Sequence, residues 1–127
     1  MSSLVLDASA LLALLQGEPG SEPWEAAIAD AAISAVNLSE VVAKLAELGM
    51  PEEEIRSTLE PLDLEVVDFD LEQAYQAGLL RRLTKPAGLS LGDRACLALA
   101  RARQLPAVTA DHAWETVLAG VEIRIMR

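Results

Sequence analysis

Four acidic residues stand where this chain could do chemistry: Asp7, Glu40, Asp93 and Asp111. Asp7 directly follows the apolar run Leu4-Val5-Leu6 and precedes the helical stretch Ala8 to Leu15. A buried strand running into a helix leaves Asp7 at the strand's carboxyl end, the edge where parallel α/β sheets bind ligands. A second predicted strand, 32–36, ends four residues before Glu40, and another, Ala107-Val108-Thr109, ends two residues before Asp111. Asp93 opens an apolar helix running from Leu91 to about Arg103, and joins the others if that helix aims its amino end at the same edge. Four ionised carboxylates in one pocket repel, at about 3 kcal/mol per pair for a separation near 5 Å and an effective dielectric near 20. Helix amino ends offset about 0.3–1 kcal/mol each. The remainder calls for a cation.

The donor set selects that cation. All four candidates offer oxygen, the one histidine is His112, and the one cysteine, Cys96, sits inside an apolar helical pattern. Oxygen donors suit Mg²⁺ or Mn²⁺, which keep bound waters and contact phosphate oxygens; zinc prefers nitrogen or sulfur. A hydrated magnesium site can aim a water at a phosphodiester and steady the leaving oxygen. No Gly-rich phosphate loop or Walker motif is present, which disfavours nucleoside triphosphate chemistry. Taken singly, each acid has a structural role open to it. Asp7 and Asp111 fit N-caps, and Asn37-Leu38-Ser39-Glu40 and Ser90-Leu91-Gly92-Asp93 resemble capping boxes. His112, next to Asp111, reads as an exposed or capping residue without a catalytic role. What separates the two readings is whether the acids share one sheet edge.

The elements that must position them follow from pattern. Gln16 to Gly20 signals a turn, and Ser21-Glu22-Pro23 predicts a helix start with Trp24, Ala27, Ile28 and Ala31 on one face. Asn37 is expected to cap a helix bearing Leu38, Val41, Val42, Leu45 and Leu48, ended by Gly49. Pro51 opens the next helix with Glu52, Glu53 and Glu54 in its first turn. Leu64 to Phe69 predicts a strand, Asp70 begins a helix carrying Leu71, Ala74, Tyr75, Leu79 and Leu83, and Val121 to Ile125 alternates as an edge strand should. Strands alternating with helices imply an α/β fold: a central, mostly parallel twisted sheet of about five short strands, covered by helices on both faces. The 127 residues are expected to form one domain, 1–127.

With 52% hydrophobic but 3% aromatic residues, the core should be aliphatic. No apolar run approaches the roughly 18 residues of a membrane span, and Met1-Ser2-Ser3 lacks a signal-peptide n-region, so a soluble cytoplasmic protein is expected. The formal net charge of −10 is uneven. Residues 1–80 hold 16 acids against Lys44 and Arg56, whereas residues 81–127 hold eight bases against four acids. Such asymmetry points to a polyanion-facing side.

Val5-Leu6-Asp7-Ala8-Ser9-Ala10, Asn37-Leu38-Ser39-Glu40-Val41, the stretch from Leu89 to Ala98 and Val108-Thr109-Ala110-Asp111 together resemble the four motif blocks of PIN-domain proteins. They look most like VapC toxins of bacterial type II toxin–antitoxin systems. The resemblance runs in order over essentially the whole chain. It implies a Mg²⁺/Mn²⁺-dependent endoribonuclease, often a homodimer, held inactive by a cognate VapB antitoxin. Asp7, Glu40, Asp93 and Asp111 match the acidic quartet that holds the metal. Asp7 and Asp93 would bind it most directly, Glu40 would position or activate water, and Asp111 would be the weakest or water-mediated member. Ser9 and Thr109 match hydroxyl positions beside the quartet, where ordinary turn or cap bonding is the competing role. Arg81, Arg82, Lys85, Arg94 and Arg101 are the candidates for RNA phosphate contacts. The alternative from a different class is a PIN-like, non-catalytic binding or assembly module whose acidic pocket grips a basic partner segment.

Overall fold

The structure, a computed structural model, describes residues 1–117 and 119–126. Its five strands are β1 (Leu4–Leu6), β2 (Ala31–Ser34), β3 (Glu65–Val67), β4 (Ala107–Thr109) and β5 (Ile123–Ile125). They form one sheet in the order β3-β2-β1-β4-β5, with every neighbouring pair parallel. The sheet expected to be mostly parallel is parallel throughout. From central β1 the chain steps outward to β2 and β3, then returns to β4 on β1's other side. Where strand order reverses, between β1 and β4, the carboxyl ends open a crevice.

Strand side chains alternate between two apolar layers, as a sheet covered on both faces requires. Leu4, Leu6, Ala31, Ile33 and Val108 pack toward α1 (Ala8–Leu15), α2 (Ala35–Glu47) and α3 (Glu52–Leu59). Val5, Ala32 and Ala107 face the opposite layer, with α4 (Leu71–Leu79) and α6 (Leu91–Arg103). Every residue of α6 from Ala95 to Ala100 is buried, so this helix lies at the centre of its layer. Among the described residues no helix is long and apolar enough to cross a membrane.

Three local expectations are corrected. Strand β2 ends at Ser34, and Ser34, rather than Asn37, caps α2 by accepting from the Val36 N–H; the helix therefore begins three residues early and Asn37 lies inside it. The stretch after Ser21 is not an α-helix with a buried face but a run of 3₁₀ turns, Glu22–Asp30, without a buried residue, and Ala31 belongs to β2. 3₁₀ turns are frequent as connectors, and this stretch links α1 to β2. Trp24 is pinned by its indole N–H, which donates to the Met126 carbonyl at 3.0 Å. The helix expected over 70–83 breaks after Leu79 into α4, a short α5 (Arg81–Thr84) and a 3₁₀ turn, Lys85–Ala87. Its inward face is Ala77, Leu80 and Thr84; Leu71, Tyr75, Leu79 and Leu83 point outward, 75%, 62%, 70% and 53% exposed. Two helical stripes compete there, and the one with smaller side chains packs against α6.

Candidate metal centre

Asp7 sits where β1 becomes α1, at the strand-order reversal, and is 3% exposed. It caps α1, its Oδ1 accepting from the Ala10 N–H at 2.8 Å. Ser9 Oγ lies 2.8 and 2.9 Å from its two oxygens, and Thr109 Oγ1, from the end of β4, donates to Oδ2 at 2.5 Å. Thr109 in turn accepts from the Asp111 N–H at 3.0 Å, and Ser9 accepts from the Ala110 N–H at 3.0 Å. The two hydroxyls thus fix the Asp7 carboxylate and tie the β1 end to the β4 end. Burial nonetheless pushes the Asp7 carboxyl up to about 6, against the lowering effect of the Thr109, Ala10 and Ser9 hydrogen bonds, with the charge of Asp93 adding to the rise.

Asp93 stands in the first turn of α6. Ser90 and Asp93 form a reciprocal capping box: Asp93 Oδ2 accepts from the Ser90 N–H at 2.8 Å, and Ser90 Oγ from the Asp93 N–H at 3.2 Å. One carboxylate oxygen is committed to the cap. An ionised carboxylate offers about four lone-pair sites, so the cap and a cation are compatible. One turn deeper, the Cys96 thiol is wholly buried and pushed up, first by that burial and then by the charges of Asp7, Asp93 and Glu40. The thiol itself is too protonated to serve as a ligand or nucleophile.

Glu40 lies in α2 and caps nothing. Its Oε1 accepts from Asn37 Nδ2 at 2.9 Å, and the same amide donates to the Gly92 carbonyl at 2.9 Å. A Cβ on Gly92 would fall on the Glu40 carboxyl group, far inside the 3.0 Å that real Cβ contacts respect. Neither Asn37 nor Gly92 stands out as functional in the sequence. The available signals are an amide one helical turn before Glu40 and the absence of a side chain next to Asp93; the contact between them spans 55 positions.

Asp111 is exposed and caps the 3₁₀ turn His112–Thr116, accepting from the Ala113 N–H at 2.9 Å. His112 pairs with Glu115 at the surface. Among the described residues none of the four acids has an Arg or Lys ion-pair partner. Nor do three of them stand close enough to form a ready-made metal cage. Magnesium needs no such cage, since it is commonly held by one or two carboxylates and several waters. Oxygen donors and a buried carboxylate without a counter-charge fit a hard divalent cation.

The basic candidates divide. Arg81, Arg82 and Lys85 are exposed on α5 and the turn after it, a few residues before the amino end of α6, and make no ion pair among the described residues. Arg94 is half-buried and its Nη1 donates to the Ala77 carbonyl at 2.9 Å; its first role is to tie α6 to α4. Arg101 lies eight residues beyond Asp93, roughly 12 Å up the helix, and so stands away from the acids.

A fully parallel five-stranded α/β sheet with a buried aspartate at its strand-order reversal defines the class of fold. The PIN domain family profile matches residues 4–118. The chain belongs to the PIN domain family. No curated protein matches it in sequence. Among solved structures it is similar to a toxin–antitoxin complex from Klebsiella pneumoniae, at 20% identity and a TM-score of 0.77 over 98% of each chain. It is also similar to DNA-bound VapBC from Salmonella typhimurium, at 21% and 0.76 over 100% of each. A third similar structure is VapBC-5 from Mycobacterium tuberculosis, at 25% and 0.62 over 98% of each.

Proposed function

We propose that this PIN domain is the toxin of a type II toxin–antitoxin pair, an endoribonuclease that hydrolyses RNA with Mg²⁺ or Mn²⁺. The observation that carries this reading is Asp7, a buried carboxylate at the crevice with hydrogen-bond donors around it and no cation paired to it. Asp7 and Asp93 hold the cation, Glu40 orients water, and Asp111 takes part at the outer edge. Ser9 and Thr109 keep the Asp7 oxygens aimed. The bound ion supplies an activated water and charge neutralisation at the phosphate. Arg81, Arg82 and Lys85 give the nearby surface the charge an RNA backbone seeks.

The structural relatives are toxin–antitoxin complexes, and a VapB-type antitoxin is the partner we assign. The apolar groove between α2 and α3, lined by Leu38, Val42, Ala46, Met50, Ile55 and Leu59, offers it a surface. A second copy of the chain would cover the outward stripe of α4 and α5. Purified protein should cleave RNA with Mg²⁺ or Mn²⁺, stop with EDTA, and lose at least a hundredfold in rate as Asp7→Asn or Asp93→Asn. Undiminished cleavage by either variant would refute the assignment.

The lack of a three-carboxylate cage among the described residues favours a second reading, a non-catalytic module gripping a basic partner segment. The two part on metal affinity: a free protein that takes up no Mn²⁺ in calorimetry supports the module.

A further inference from the structure

We infer that Asn37 and Gly92 form a clamp that sets the position of Glu40 beside Asp93, making Asn37 a positioning residue for the metal site. This deepens the proposed function and rests on it. Asn37 is 1% exposed, so its amide is committed to protein partners. Both of its amide hydrogens are used on acceptors, Glu40 Oε1 and the Gly92 carbonyl, each at 2.9 Å. Two acceptors on one nitrogen fix which end of the amide faces them. Its Oδ1 is then left buried without a partner.

Packing does not account for such a residue. A buried amide with an orphaned oxygen carries a desolvation cost that an apolar side chain of the same size avoids. What the amide achieves is a bridge: one group holds the α2 carboxylate and the first turn of α6, the turn that carries Asp93. Gly92 supplies the space, because the Glu40 carboxyl group occupies the volume of any Cβ at that position. Glu40 is exposed, and a carboxylate without such a restraint would lose rotamer freedom on engaging the ion's waters. The clamp removes that freedom in advance.

The test uses the full chain with three variants: Asn37→Leu, Gly92→Ala and Glu40→Gln, plus the Asn37→Leu/Glu40→Gln double. Mn²⁺ affinity is read by calorimetry, RNA cleavage by kcat and KM, and Glu40 placement from crystal structures of the metal-free variants. Groups that orient metal ligands are worth about 10–100-fold in affinity or activity. Asn37→Leu and Gly92→Ala should each weaken Mn²⁺ or lower kcat by that factor with KM little changed, and their Glu40 carboxyl should leave its place over Gly92. The double variant should be no worse than Glu40→Gln. Glu40 unmoved in both single variants would overturn the clamp, as would Glu40 displaced with Mn²⁺ affinity and kcat retained. If Asn37→Leu fails to fold, Gly92→Ala decides the same question. A wild-type protein that neither binds Mn²⁺ nor cuts RNA refutes the proposed function, and with it the clamp's purpose; wild-type binding with unaffected variants refutes only the clamp.

Discussion

Asp7 holds its charge in an unfavourable place, buried at 3% exposure. Its carboxyl rises from 3.8 to about 6 because burial outweighs the hydrogen bonds it accepts. The folded protein therefore keeps this proton up to about pH 6, while the unfolded chain releases it near 3.8. Where the folded state binds more protons, stability falls as pH rises. The decline runs between those two values and levels off above them, with a total of roughly 3 kcal/mol. Urea unfolding in EDTA should show it in the wild type and not in Asp7→Asn, which should be the more stable protein at neutral pH. A wild type with level stability across that window would contradict the burial argument. The same charge that weakens the metal-free fold is available to a cation, which stabilises any state that binds it.

Helices α4 and α5 leave Leu71, Tyr75, Leu79 and Leu83 in water at four-residue steps, a continuous apolar row of the kind that marks an interaction surface. If a second copy covers it, Leu79→Glu with Leu83→Glu should convert a dimer to a monomer in sedimentation without lowering the melting temperature of the monomer. An unchanged dimer would place the interface elsewhere. The sequence shows the stripe by its period but not which stripe the core takes, because Ala77, Leu80 and Thr84 make an equally helical row. Local signals are strongest where one residue decides the geometry: an apolar run meeting Asp7, or Ser90 and Asp93 closing a capping box. They mislead at Asn37, which looks like a cap, since Ser34 is as good a cap three residues earlier. The Asn37–Gly92 contact joins α2 to α6 across the fold, and no local pattern encodes it. Arg94 likewise reads as a surface base until α4 packs beside it and its guanidinium meets the Ala77 carbonyl.

Over the whole molecule, charge and topology answer different questions. The net charge of −10 opposes a polyanion at long range, so under the proposed function RNA would approach by the exposed basic segment Arg81, Arg82 and Lys85. Replacing all three with alanine should raise KM about tenfold with kcat nearly intact. It should also flatten the salt dependence of RNA binding, by about 0.7 in log–log slope for each single-strand phosphate that no longer meets a base. An unchanged slope would move the RNA path to another face. Topology brings the β1 and β4 ends together and points the amino end of α6 at them, and the proposed chemistry depends on that meeting. The most direct test is diffraction from crystals soaked in Mn²⁺, read at the manganese absorption edge. We expect one anomalous peak at coordination distance, about 2.1 Å for a cation of this kind, from Asp7 or Asp93, lost in Asp7→Asn. No peak at the carboxyl edge of the sheet, or a peak that survives the substitution, would contradict a shared metal site.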